Sequence, residues 1–96
     1  MRVEKTLPVI FRMYRGELCA YFPTEEWDFS GIMITCYAHV GQHGGASRLW
    51  LQKGRLATPA EYADLLAELR GIYENGEDAV ILKVYKRNPT RHNRGI

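Results

Sequence analysis

Residues 35–45 read Thr-Cys-Tyr-Ala-His-Val-Gly-Gln-His-Gly-Gly, and apart from Cys19 and His92 they contain every cysteine and histidine of the chain. Thiolate and imidazole together suggest three kinds of chemistry. Cys36, His39 and His43, with Cys19 as a fourth ligand, are suitable donors for zinc, although their spacing matches no strong zinc signature. A Cys36–His39 pair would make a nucleophile and its base. His39 and His43 could form an acid–base pair oriented by Glu25, Glu26 or Asp28, a His-dependent enzyme. Strand alternation weighs against the first two, because Cys36 and His39 have opposite parity. The backbone N–H groups of Gly41, Gly44 and Gly45 could face an anion, but the pattern is neither a Walker loop nor a dinucleotide fingerprint, and no helix immediately follows. No catalytic residue, metal or cofactor is therefore assigned. His39, Gln42 and His43 are read as shaping a glycine-rich loop that contributes to binding.

A chain of 96 residues closes around one core. Residues 1–88 are expected to form one α+β domain, and residues 89–96 a flexible basic tail after Asn88-Pro89. Two cysteines do not make the framework of a secreted miniprotein, and neither a signal peptide nor an apolar run of membrane-spanning length is visible. The expected setting is a reducing cytoplasm without membrane attachment. Net charge is only +2, which does not announce a nucleic-acid binder, yet Lys83, Lys86, Arg87, Arg91 and Arg94 crowd one end. A small domain also gains from burying strand surface against a second copy, so a homodimer is one expected state.

Period-two alternation predicts strands over 8–14 and from Leu18 to Pro23, joined by a turn at Arg15-Gly16-Glu17. Residues 24–31 read as an acidic loop. A third strand over 32–40 is expected to turn Ile34, Cys36 and Ala38 toward the core, with Met33, Thr35, Tyr37 and His39 facing away. A short fourth strand containing Leu49, Trp50 and Leu51 follows the glycine-rich loop. Thr58, Pro59 and Glu61 specify a helix start with a capping box, and Tyr62, Leu65, Leu66, Leu69, Ile72 and Tyr73 form its apolar stripe. Asn75-Gly76 ends it, and Val80, Leu82 and Val84 mark the last strand. The expected architecture is ββββαβ: one mainly antiparallel sheet of about five strands with one long helix packed on one face.

A single helix covers only one side of such a sheet. The other face is expected to be open and to carry Arg12, Tyr14, Tyr21, Tyr37, His39, Trp50, Lys83, Tyr85 and Arg87. Aromatics interleaved with cations suit a protein interface, where Tyr, Trp and Arg act as anchors. They also suit single-stranded nucleic acid, with bases stacked on rings and phosphates met by cations.

Val9-Ile10-Phe11-Arg12, Ala20-Tyr21-Phe22-Pro23, His39-Val40-Gly41-Gln42-His43-Gly44 and the run Ala57–Leu65 occur in the same order in small accessory proteins encoded by bacteriophages, plasmids and integrative elements, which this sequence resembles over roughly residues 8–87. The resemblance implies a genomic setting rather than an activity. It makes a non-catalytic binding protein the leading expectation, with an inhibitor of the anti-CRISPR kind, acting on a host nuclease complex, as its specific form.

Overall fold

A computed structural model describes residues 5–38, 42–74 and 80–87. The described elements are β1 (Lys5–Tyr14), β2 (Glu17–Glu26), β3 (Met33–Ala38), β4 (Gln42–Ser47), a 3₁₀ turn (Arg48–Gln52), β5 (Arg55–Leu56), α1 (Pro59–Tyr73) and β6 (Val80–Val84). They form a single six-stranded sheet with one helix packed on it, the expected α+β class. Among the described residues no helix is long and apolar enough to cross a membrane.

The sheet runs β4-β3-β2-β1. On its far side β1 is shared: its first half pairs in parallel with β6, Lys5 opposite Val80 through Val9 opposite Val84, and its second half pairs antiparallel with β5. Val9, Ile10 and Phe11 are consecutive, hence on alternating faces, yet their exposures are 0%, 2% and 2%. The middle of β1 is therefore covered on both sides. Leu7, Val9, Phe11, Ala20, Phe22, Tyr37 and Leu82 meet Leu65 and Leu69 of the helix to make the main core. Phe11 stacks on Tyr62 at 4.5 Å between ring centroids.

Four details differ from the sequence reading. The fourth strand is the glycine-rich stretch itself, and Leu49, Trp50 and Leu51 lie in the 3₁₀ turn that follows. Glycine is a poor strand former, but Gly45 fits here because the Trp27 ring occupies the space its side chain would need, 2.2 Å from an ideal Cβ. Pro23 does not end β2. It sits in an irregularity where the register passes from Phe22↔Thr35 to Glu26↔Ile34, a place where a missing N–H costs the ladder nothing. Ile72 is exposed rather than part of the buried helix stripe. Most consequentially, β3 has the opposite phase: Tyr37 faces the helix, opposite the small Ala20, while Cys36 faces away, opposite Tyr21. Both parities of β3 are apolar enough to be buried, so alternation could not choose between them. The expected end at Asn75-Gly76, the tail from residue 89, and His39 lie outside the described residues.

The helix start has the expected chemistry. The Thr58 hydroxyl accepts from the Glu61 N–H, and the Glu61 carboxylate accepts from the Thr58 N–H at 2.9 Å. Glu61 also takes a bidentate hydrogen bond from Arg55 at 2.8 and 2.7 Å, which fastens β5 to the first helical turn. Arg55 and the Thr58 N–H hold the Glu61 carboxyl down at about 2. Two outcomes follow. Thr58→Ala lowers stability by about 1 kcal/mol in urea unfolding. Because the Glu61 pKa is depressed in the fold, its contribution is complete above its ordinary 4.5 and disappears as pH falls through about 2. Glu61→Gln should flatten the acid limb of the stability curve over that window.

Candidate functional site

β4 and β5 lie on opposite margins of the sheet, so the chain between them must cross one face. That distance is roughly 19 Å, four inter-strand spacings of about 4.8 Å. A 3₁₀ turn rising about 2 Å per residue, followed by an extended link, can span it. Residues 48–54 make the crossing on the helix-free face and form a strap. Its departure is fixed by Arg48, whose backbone N–H donates to the Ile32 carbonyl at 2.9 Å. The Arg48 guanidinium donates to the Gly31 and Pro23 carbonyls at 2.8 and 2.9 Å. Its arrival is fixed by Arg12, which donates to the Lys53 and Gly54 carbonyls at 2.8 and 3.0 Å. Gly54 has a φ of +67°, and a Cβ there would stand 2.0 Å from the Met13 carbonyl oxygen, so only glycine lets the link dock.

The helix-free face is therefore partly roofed rather than open. Ile10, Tyr21 and Ile34, which belong to this side, are buried. Trp50 descends from the strap to meet Tyr14 edge-to-face at 5.2 Å. Beneath it lies a shallow hollow of about 230 Å³ lined by residues that include Arg12, Tyr14, Cys19, Tyr21, Ala46 and Trp50. At the β6 side of the face the Lys83 ammonium stands 5.9 Å from the centre of the Tyr85 ring, and Arg87 is exposed.

Tyr37 and His43 are placed elsewhere. They are paired across β3 and β4 on the helix side of the sheet, with ring centroids 4.7 Å apart. His43 Nε2 is 2.7 Å from the Tyr73 hydroxyl. The Tyr37 ring is buried while its hydroxyl reaches the exposed Glu68 and donates to that carboxylate, which raises the Tyr37 phenol above its ordinary range. Burial, with the Glu25 carboxylate nearby, raises Tyr73 as well. This network bolts the edge strand to the helix. Two of the three carboxylates considered as partners for a catalytic histidine have other engagements: Asp28 accepts from the Ser30 hydroxyl and N–H at 2.6 and 3.0 Å, and Glu25 stands 3.9 Å from Lys5.

The candidate residues thus divide into two groups. Arg12, Tyr14, Trp50, Lys83 and Tyr85 belong to the strap side, with Arg87 just beyond β6. Tyr37 and His43 belong to the helix side, so a zinc set uniting Cys36 with His43 is not assembled. Among the described residues no three His, Cys, Asp or Glu are grouped to hold a metal. Gly44 and Gly45 are paired in β4 and form no anion loop. Gln42 lies in β4 opposite Ala38. Arg48, the main fastener of the strap, was not singled out in the sequence, because an arginine beside an apolar triplet reads as strand surface.

The chain matches no protein-family model, no curated protein and no solved structure.

Arg48→Met keeps the aliphatic stem but removes both guanidinium hydrogen bonds. It should cost on the order of 2 kcal/mol in chemical denaturation. Arg48→Lys should recover only part of that loss, since an ammonium does not reproduce the planar fork spanning two carbonyls.

Proposed function

We propose that the chain is a non-catalytic binding protein that docks on a protein partner through its strap side. The observation that carries this reading is a set of large apolar side chains left in solvent on two segments that Arg48 ties together. Phe29 is fully exposed, Leu49 is 65% and Ile32 61% exposed, and Trp50 is partly exposed. Scattered exposed apolar residues need no explanation, but several carried on two segments fastened to each other suit an interaction surface. The fastening matters energetically, because ordered anchors lose little further entropy on binding. In the mobile-element setting that the sequence resembles, such a domain acts as an inhibitor by occupying a surface of a host nuclease complex.

Single-stranded nucleic acid is less well supported by the same face. Arg12, its central cation, spends its guanidinium on two backbone carbonyls. Phosphate contacts would fall to Lys83, Lys86 and Arg87 at one side.

The test is capture from host lysate by tagged protein, with and without nuclease, beside a Phe29→Ser, Leu49→Ser variant. One stoichiometric protein should survive nuclease, and the variant should keep its fold while losing affinity at least about tenfold, ~1.4 kcal/mol. A captured partner held equally by the variant overturns the surface assignment. Capture of nucleic acid alone, weakening with salt, overturns the protein-partner reading.

A further inference from the structure

Cys19 and Cys36 sit on neighbouring strands and face the same side of the sheet, the strap side. Cys36 is opposite Tyr21, and Cys19 is two residues before Tyr21, so the cysteines are diagonal neighbours. The Cys19 sulfur leans over β3, 3.7 Å from the Tyr37 carbonyl oxygen. Both residues are only partly buried, and both thiols are free. On the other flank of Cys36 stands Gly44, which offers no side chain to cover the sulfur; even a Cβ there would be 3.8 Å away. The hollow beneath Trp50 has Cys19 in its lining.

From this geometry we propose that Cys36 and Cys19 form a peroxide-reactive thiol pair, with Cys36 as the sulfur first oxidised and Cys19 as the thiol that resolves it. The surroundings favour that division of roles. The neighbouring Cys19 thiol, aided by the Gly44 N–H, lowers the Cys36 thiol below its ordinary range despite its partial burial. The Cys19 thiol is raised by the neighbouring Cys36 and by burial. The thiolate is the nucleophile, so Cys36 is the sulfur prepared to attack.

The Cys36 thiolate attacks one oxygen of hydrogen peroxide. The O–O bond breaks, a sulfenic acid forms, and the departing hydroxide takes a proton from solvent to become water. Oxidation leaves Cys36 neutral and removes one of the influences that raise the Cys19 thiol. The Cys19 sulfur then attacks the sulfenic sulfur, the S–S bond forms, and the S–O oxygen leaves as water with the Cys19 proton. A diagonal pair reaches disulfide geometry only with some adjustment of the β2–β3 ladder, and a strained bond of that kind is readily reduced by a small thiol. The pair therefore suits reversible oxidation.

The test treats reduced protein with a few equivalents of hydrogen peroxide and follows intact mass and alkylatable thiols. The expected product is a monomer lighter by about 2 Da that has lost both thiols and regains them with dithiothreitol. Cys19→Ser should stop at a Cys36 sulfenic acid that dimedone traps. In untreated protein at pH 7, Cys36 should alkylate at least about tenfold faster than Cys19. Thermal unfolding confirms that the serine variant is folded. Two thiols persisting under peroxide, a disulfide formed only between molecules, or equal alkylation of the two cysteines would overturn the proposal.

Discussion

The placement of β4 and β5 on opposite margins of one sheet is the constraint from which the functional face follows. A chain that leaves one margin and must reach the other has to travel over the strands between them. The helix already claims one side, so the crossing takes the other and buries Ile10, Tyr21 and Ile34 beneath it. Two arginines hold the crossing at its ends by donating to backbone carbonyls, groups that would otherwise need water or another partner. The described residues thereby acquire a second layer of burial with one helix among them.

The same crossing separates two kinds of side-chain chemistry. On the helix side, His43, Tyr73, Tyr37 and Glu68 join the edge strand to the helix, and their hydrogen bonds are made to one another. On the strap side, the two thiols face the same way, and Cys19 and Trp50 both line the hollow. Sequence proximity put Cys36 and His43 in one motif, but β3 and β4 direct them to opposite sides. A motif compact in sequence therefore does not make a compact site when it straddles a hairpin with alternating faces.

Much of the fold was legible in the residues. Thr58 and Glu61 form a local capping device whose geometry needs no tertiary contact, and the helix begins where they indicate. β1 and β2 follow from alternation and from the two-residue turn, where Arg15 and Gly16 both adopt positive φ. What escaped depended on non-local partners. Gly44 and Gly45 looked like loop because nothing nearby in sequence announces that Trp27 would cover one and Cys36 lie opposite the other. The phase of β3 was undetermined because Met33, Thr35 and Tyr37 are about as buriable as Ile34, Cys36 and Ala38. On the face of interest, Tyr14 and Trp50 were identified, but Trp50 arrives from the strap and not from a strand. Arg12, read in the sequence as a binding residue, also holds the chain's own backbone.

The parallel pairing of β1 with β6 also bears on how the protein is made. Lys5–Val9 emerge from the ribosome long before Val80–Val84, yet the early segment completes one side of its ladder only with the late one. Most of the chain must therefore wait, its β1 margin unfilled, through several seconds of synthesis at about 5–20 residues per second. During that interval Val9 and Phe11 belong to a nascent hairpin that has neither its helix nor its parallel neighbour, an exposed edge of the kind that recruits chaperones or other nascent chains. Topology thus defers completion of the fold until nearly all the described residues have been translated, and places the strongest demand for protection on its first strand.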